Sequence, residues 1–276
     1  MSMHKHATTT QNKSQRYSEK GTRMASKKQS PIVQENYRDD TEKVKHQPVT
    51  SNTLRLKLDH LKTFEPLTEN QQLFFEMYKG GAYFMGLFGS PGVGKTFLAL
   101  YKAIEEVLDK GNSFKQVVVV RSLVQLREVG HLPGDLQEKQ EIYELPYKEV
   151  CDVLFGRSDA WDRLKEQGHA RFISTTAIRG ISIDDSIIIV DENQNMNWSE
   201  INTIITRVGH RSKIIFCGDF KQTDLIRSNK DQSAFHSFRE VARSMTAFQE
   251  IYFTPDDIVR SSLVKDWIVA CDKLGY

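Results

Sequence analysis

The sequence predicts an α/β fold: a single domain with a mainly parallel sheet flanked by helices, preceded by a disordered N-terminal tail. Three observations carry this expectation. Six short runs are almost wholly apolar and rich in β-branched residues, without polar alternation, as strands covered on both faces require. Segments of helical spacing separate most of them. The first run opens directly onto a glycine-rich turn that leads into a helix.

The tail is assigned to residues 1–52 and the domain to residues 53–276. The chain has 276 residues and a formal net charge of +2, unevenly spread. Residues 1–50 hold 10 Lys or Arg against 5 Asp or Glu, which leaves the remainder slightly acidic. That first stretch is rich in Thr, Ser, Gln, Lys and His, with too little aliphatic surface to offset its ordering entropy. Its basic bias suits polyanion binding and equally suits a solubilising tail. Cys151, Cys217 and Cys271 are widely spaced and form no CxxC pair, so neither a disulfide framework nor a zinc cluster is expected. No apolar stretch approaches the roughly 18 residues that span a bilayer. The N-terminus has no apolar signal core either. The expectation is a soluble, cytoplasmic protein without membrane contact.

In chain order, AYFMGLF (82–88) is the first expected strand. A helix follows from about Lys95 to Asp109, with Leu98, Ala99, Ala103, Ile104, Val107 and Leu108 on one face and Gly111 as its stop. QVVVV (116–120) is the second strand, and a helix covers 136–155. ARFIS (170–174) and SIIIVD (186–191) are the next strands, followed by a helix over 199–208. KIIFCGD (213–219), a helix over 232–246 and QEIYF (249–253) complete the series. There is no internal repeat.

Three strand ends carry chemistry. GSPGVGKT (89–96) fits G-x-x-x-x-G-K-[ST] with a strand before it and a helix after it. Its glycines let successive backbone N–H groups converge on phosphate oxygens, aided by the positive end of the helix. The expected cradle is Gly89, Ser90, Pro91, Gly92, Val93, Gly94, Lys95, Thr96 and Phe97. Lys95 would neutralise the β and γ phosphates, and the Thr96 hydroxyl would hold Mg²⁺. SIIIVDENQ delivers two adjacent carboxylates at a strand end, Asp191 for Mg²⁺ and Glu192 to polarise the attacking water. Gln194 either lies near the γ-phosphate or links the site to a neighbouring element. KIIFCGDFKQTDL presents Asp219 and Gln222 at a third strand end, with Gln222 placed to sense the γ-phosphate. The cofactors expected are ATP and Mg²⁺.

In this order, G-x-x-G-x-G-K-T, D-E-x-Q and G-D-x-x-Q resemble the ATPase core of superfamily 1 helicases, a RecA-like P-loop NTPase domain. More narrowly, the chain resembles the PhoH-like family of phosphate-starvation-associated ATPases. PLTENQQ (66–72) is similar to the family's P-x-T-x-x-Q entry, which implies that Gln71 meets the adenine edge. HLPGDLQEKQEIYELPY (131–147), IRGISIDDSIIIVDENQN and DDIVRSSLV match further family stretches, so the resemblance spans roughly residues 55–270. The sequence departs from the family pattern at Ile181, Ser182, Asn193 (Ala in the family) and Ser261. None of these removes an expected catalytic group.

The helicases complete their site between two tandem domains, the second supplying an arginine to the γ-phosphate. A chain with one such domain leaves that arginine to Arg260, placed in the C-terminal helix, or to Arg179 in the TTAIRG turn, acting within the chain or on a neighbour. The resemblance implies a homo-oligomer, a hexameric ring, with single-stranded nucleic acid as partner and RNA ahead of DNA. Arg121, Arg127 and Lys139 are candidates for the nucleic-acid backbone. Tyr143 and Tyr147 either stack on bases or pack in the core. Two other function classes stay open: an ATP-gated oligomeric scaffold with slow turnover and no motor activity, and a small-molecule kinase sharing the loop.

Overall fold

The computed structural model describes residues 55–122, 136–219 and 229–274, with backbone alone for 136–139 and 229–233. The expected tail over 1–52 lies outside the described residues. Each of the six apolar runs forms a strand: β1 (Phe84–Gly89), β2 (Gln116–Arg121), β3 (Ala170–Ser174), β4 (Ser186–Asp191), β5 (Lys213–Gly218) and β6 (Phe248–Phe253). They make one sheet in the order β3-β2-β4-β5-β1-β6, with every neighbouring pair parallel. All carboxyl ends therefore reach the same edge. β5 stands between β1 and β4, so the glycine-rich loop and the Asp-Glu pair are separated by one strand.

The unbroken apolar runs follow from helices on both faces. α1 (Glu69–Lys79), α2 (Lys95–Leu108), α3 (Leu136–Phe155) and α4 (Ala160–Glu166) cover one face; α5 (Trp198–Ile205) and α6 (Asn229–Arg243) cover the other. Val117 and Val119 of β2 enter the first core, and Val118 and Val120 enter the second. Full burial of one such side chain is worth about 1.5–3 kcal/mol, so an alternating strand would forfeit half of this. β6, at the edge, does alternate, with Ile251 and Phe253 buried and Gln249 and Tyr252 exposed.

α2 ends at Leu108, within one residue of expectation: Asp109 leaves helical geometry (ψ 117°) and its carboxylate accepts from the Gly111 N–H at 2.9 Å. Two helices depart from the sequence expectation. α5 ends at Ile205 instead of 208, since the chain turns back to pair with Ile183: Ile183 N–H donates to Arg207 O at 2.9 Å, and Gly209 N–H to Ile183 O at 2.9 Å. α6 begins at Asn229 and ends at Arg243, three residues ahead of the expected helix at each end.

Arg260 is not helical: α7 (Ser262–Leu274) begins two residues after it. Thr254 caps a short 3-10 turn (Pro255–Asp257), and the Val259 N–H then donates to Gly92 O at 3.3 Å. That bond holds the Ile258–Arg260 segment against the glycine-rich loop before a helix can start.

Candidate active site

The carboxyl ends of β1, β2, β4 and β5 frame a cleft of about 480 Å³ at the edge where open α/β sheets bind ligands. Its floor is the glycine-rich loop. Gly89 has φ 119°, and a Cβ there would sit 1.9 Å from the Phe253 carbonyl oxygen, so only glycine lets the chain leave β1 against β6. The Ser90 N–H donates to that same carbonyl at 3.1 Å. Lys95 Nζ donates to the carbonyls of Gly89 (2.9 Å) and Ser90 (2.7 Å), bracing the loop from inside. Burial pushes the Lys95 ammonium below its ordinary pKa, while the nearby Asp219, Glu192 and Asp191 carboxylates act in the opposite sense.

Thr96, in the first turn of α2, donates its hydroxyl to Asp191 Oδ1 at 2.7 Å. The other oxygen, Oδ2, accepts from the Tyr147 hydroxyl of α3 at 2.8 Å. Glu192 follows in the left-handed region, φ 52°, a conformation that costs a non-glycine residue about 1–2 kcal/mol. Gln194 holds it there. Its Nε2 donates to Glu192 Oε2 at 2.6 Å, and its Oε1 accepts from the Asp219 N–H at 3.0 Å. Gln194 thus links β4 to β5, the second of its two sequence-based alternatives. Burial raises the Glu192 carboxyl above its ordinary pKa, and the adjacent Asp191 charge adds to this.

The donor set fits a hard divalent cation. A threonine hydroxyl and a carboxylate oxygen stand 2.7 Å apart beside a loop whose N–H groups suit phosphate. Mg²⁺ typically takes one or two protein carboxylates and completes its shell with substrate phosphates and water, which a site of this composition could provide.

Most expected site residues come together. Pro91, Gly92, Gly94, Lys95, Thr96, Phe97, Asp191, Glu192, Asp219 and Arg260 all line the cleft. Gly89, Ser90 and Val93 act through their carbonyls from behind it. Gln71 is buried, with its amide engaged inside the chain: Oε1 accepts from the Leu67 N–H at 2.8 Å and Nε2 donates to Val93 O at 3.1 Å. Arg179 is exposed and does not line the cleft. Gln222 and Arg127 lie outside the described residues, and of Lys139 only the backbone in α3 is described.

Some site residues had no signal in the sequence. Pro146, Glu149, Val150 and Val153 of α3 line the cleft opposite the loop. Arg121, a candidate for the nucleic-acid backbone, lines the cleft, 6.0 Å from the Tyr143 ring. Tyr147 is wholly buried, the second of its two alternatives, yet its hydroxyl reaches the Asp191 carboxylate. A helical tyrosine far along the chain from its partner carries no pattern that spacing reveals.

A parallel sheet with a phosphate-type loop after β1 and an acidic pair after β4, one strand away, defines the core of a P-loop NTPase. The profile of the PhoH-like protein family matches residues 63–272, and this chain belongs to that family. A PhoH-like protein of Bacillus subtilis (strain 168) is 33% identical over 214 residues, covering 77% of this chain and 65% of that protein. Protein PhoH2 of the same organism is 35% identical over 173 residues, covering 60% and 38%. A PhoH-like protein of Synechocystis is 31% identical over 188 residues, covering 67% and 55%. The chain thus spans between 38% and 65% of the length of these relatives. Among solved structures, the Pif1 helicase from Candida albicans aligns with 77% of this chain and 44% of its own, at 17% identity and a TM-score of 0.38. No helix among the described residues is long and apolar enough to cross a membrane.

Proposed function

We propose that this protein hydrolyses ATP with Mg²⁺ as a homo-oligomeric, helicase-type ATPase acting on single-stranded nucleic acid, RNA ahead of DNA. The observation that carries the hydrolytic reading is the 2.7 Å contact between Thr96 Oγ1 and Asp191 Oδ1, in one cleft with Lys95 and Glu192.

Bound Mg²⁺ would neutralise phosphate charge and orient the terminal phosphate for in-line attack. Thr96 and Asp191 supply its protein oxygens. Loop N–H groups from Gly92 to Thr96 hold the phosphates, and Lys95 exchanges its two loop carbonyls for phosphate oxygens. Glu192 polarises water. Its raised pKa makes it a stronger base than an ordinary carboxylate, and Gln194 keeps its side chain aimed. Gln71 secures the loop through Val93 O and meets the adenine edge by exchanging its bond to the Leu67 N–H. Gln222 senses the γ-phosphate.

Arg260, on the cleft wall, is the candidate to stabilise charge at the transition state, ahead of Arg179, which does not line the cleft. The oligomeric reading draws support from exposed apolar side chains on α3 and α7. Ile142, Leu145 and Val153 stand out from α3, and Leu263, Val264 and Trp267 from α7. The nucleic-acid partner rests on family resemblance.

The test is ATP turnover by the native chain with and without single-stranded RNA and DNA, beside Glu192→Gln. Stimulation by RNA, abolished by Glu192→Gln, is expected. Slow turnover indifferent to every nucleic acid would leave the gated scaffold in its place. Phosphate transfer to a metabolite would point to a kinase.

A further inference from the structure

We infer that Tyr147 is a positioning residue: its hydroxyl fixes the orientation of the Asp191 carboxylate and thereby ties α3 to the metal-binding half of the cleft. The inference rests on the proposed role of Asp191 in holding Mg²⁺.

The Tyr147 ring is fully buried, with its centroid 5.8 Å from that of Trp161 and 5.9 Å from that of Phe172. A phenylalanine would fill the same space. The hydroxyl is therefore the informative group, because burying it without a partner is unfavourable. It donates to Asp191 Oδ2 at 2.8 Å, while the Thr96 hydroxyl donates to Oδ1 at 2.7 Å. The carboxylate is clamped from opposite sides, and rotation about its terminal bond would break both contacts. Oδ1 is thereby kept facing the first turn of α2, the side on which Thr96 stands.

Arg121 ends β2, whose register sets it beside Asp191. The buried hydroxyl itself joins α3 to β4. Glu149, Val150 and Val153 follow Tyr147 on α3 within two turns and line the cleft. Any shift of α3 that changes the cleft also moves the donor on Asp191.

The experiment compares native full-length chain with Tyr147→Phe and, as a packing control, Trp161→Phe, which disturbs the same aromatic cluster without touching Asp191. Two quantities are measured: the Mg²⁺ concentration for half-maximal ATP turnover, and Mn²⁺ binding in the presence of ATP by electron paramagnetic resonance. ATP binding in EDTA is followed in parallel.

Loss of a group that orients a metal ligand typically weakens metal affinity by 10- to 100-fold, so Tyr147→Phe is expected to shift both metal readouts by about tenfold. Binding of metal-free ATP stays native, and Trp161→Phe leaves the metal readouts in place. Unchanged metal dependence in Tyr147→Phe, or an equal shift in Trp161→Phe, overturns the inference. Native chain that binds no ATP at all overturns the nucleotide reading itself, a distinguishable result. Should Tyr147→Phe melt below assay temperature, Tyr147→Phe/Asp191→Asn is expected to regain stability by neutralising the stranded carboxylate, and failure to regain it overturns the link.

Discussion

Asn193 offers a perturbation whose outcome follows from the geometry of a single buried amide. Its side chain is completely buried, and neither Oδ1 nor Nδ2 has a hydrogen-bond partner. It lies against Gly218, where an added Cβ would come within 1.9 Å of Oδ1. Buried unsatisfied polar groups cost about 1–3 kcal/mol each. Replacing the amide by alanine removes both and forfeits packing worth about 1–2 kcal/mol. Asn193→Ala is therefore expected to stabilise the fold by about 1–2 kcal/mol, raising Tm by about 4 °C for a domain of this size. Gly218→Ala alone forces a methyl group into the amide, a clash worth about 1–3 kcal/mol. Asn193→Ala relieves most of that clash, although Gln194 Oε1, 2.9 Å from the same Cβ, remains. The two substitutions should thus couple favourably by about 1–2 kcal/mol in a double-mutant cycle. Urea denaturation and thermal melts of the four proteins read this directly. An Asn193→Ala protein less stable than native, with effects additive to those of Gly218→Ala, would refute the reasoning and mean that the amide is satisfied in solution.

Three further outcomes can be checked alongside. Glu192→Gln should retain ATP binding and lose turnover by about 10²- to 10⁴-fold, the range for a general base; single-turnover kinetics with a parallel binding titration separate the two effects. Arg260→Ala should lower turnover by roughly 10³-fold or more if its charge serves the transition state. Mixing it with Lys95→Ala regains activity only where one copy's arginine serves its neighbour's cleft. The third outcome concerns pH. Burial would raise the Glu250 carboxyl, yet hydrogen bonds from Arg239 and Arg243 outweigh this and hold its pKa below the ordinary value. A depressed folded pKa contributes stability that is present above the unfolded value, about 4.3, and is lost as pH falls through the folded one. Glu250→Gln should therefore melt below native at pH 7, with the gap closing toward pH 3.

The central strands and the phosphate loop were legible in the sequence because each obeys a local constraint. Strands covered on both faces must be apolar throughout, as Val117–Val120 and Ile187–Val190 are, and a turn that brings backbone N–H groups to phosphate needs glycine where a side chain would collide. The acidic pair was legible for the same reason, since it ends one such strand. What only the tertiary structure decided is which of these ends meet. Thr96 and Asp191 are 95 residues apart, and Tyr147 and Asp191 are 44 apart. Strand order and register bring them within hydrogen-bond distance, and both are set by crossover connections that leave no local periodicity. The same holds for the two arginines. Arg179 and Arg260 look alike as sequence, but the Val259–Gly92 bond draws only Arg260 onto the cleft wall. Local sterics and burial write themselves into residue patterns, whereas long-range adjacency is fixed by packing the whole sheet and its helices at once.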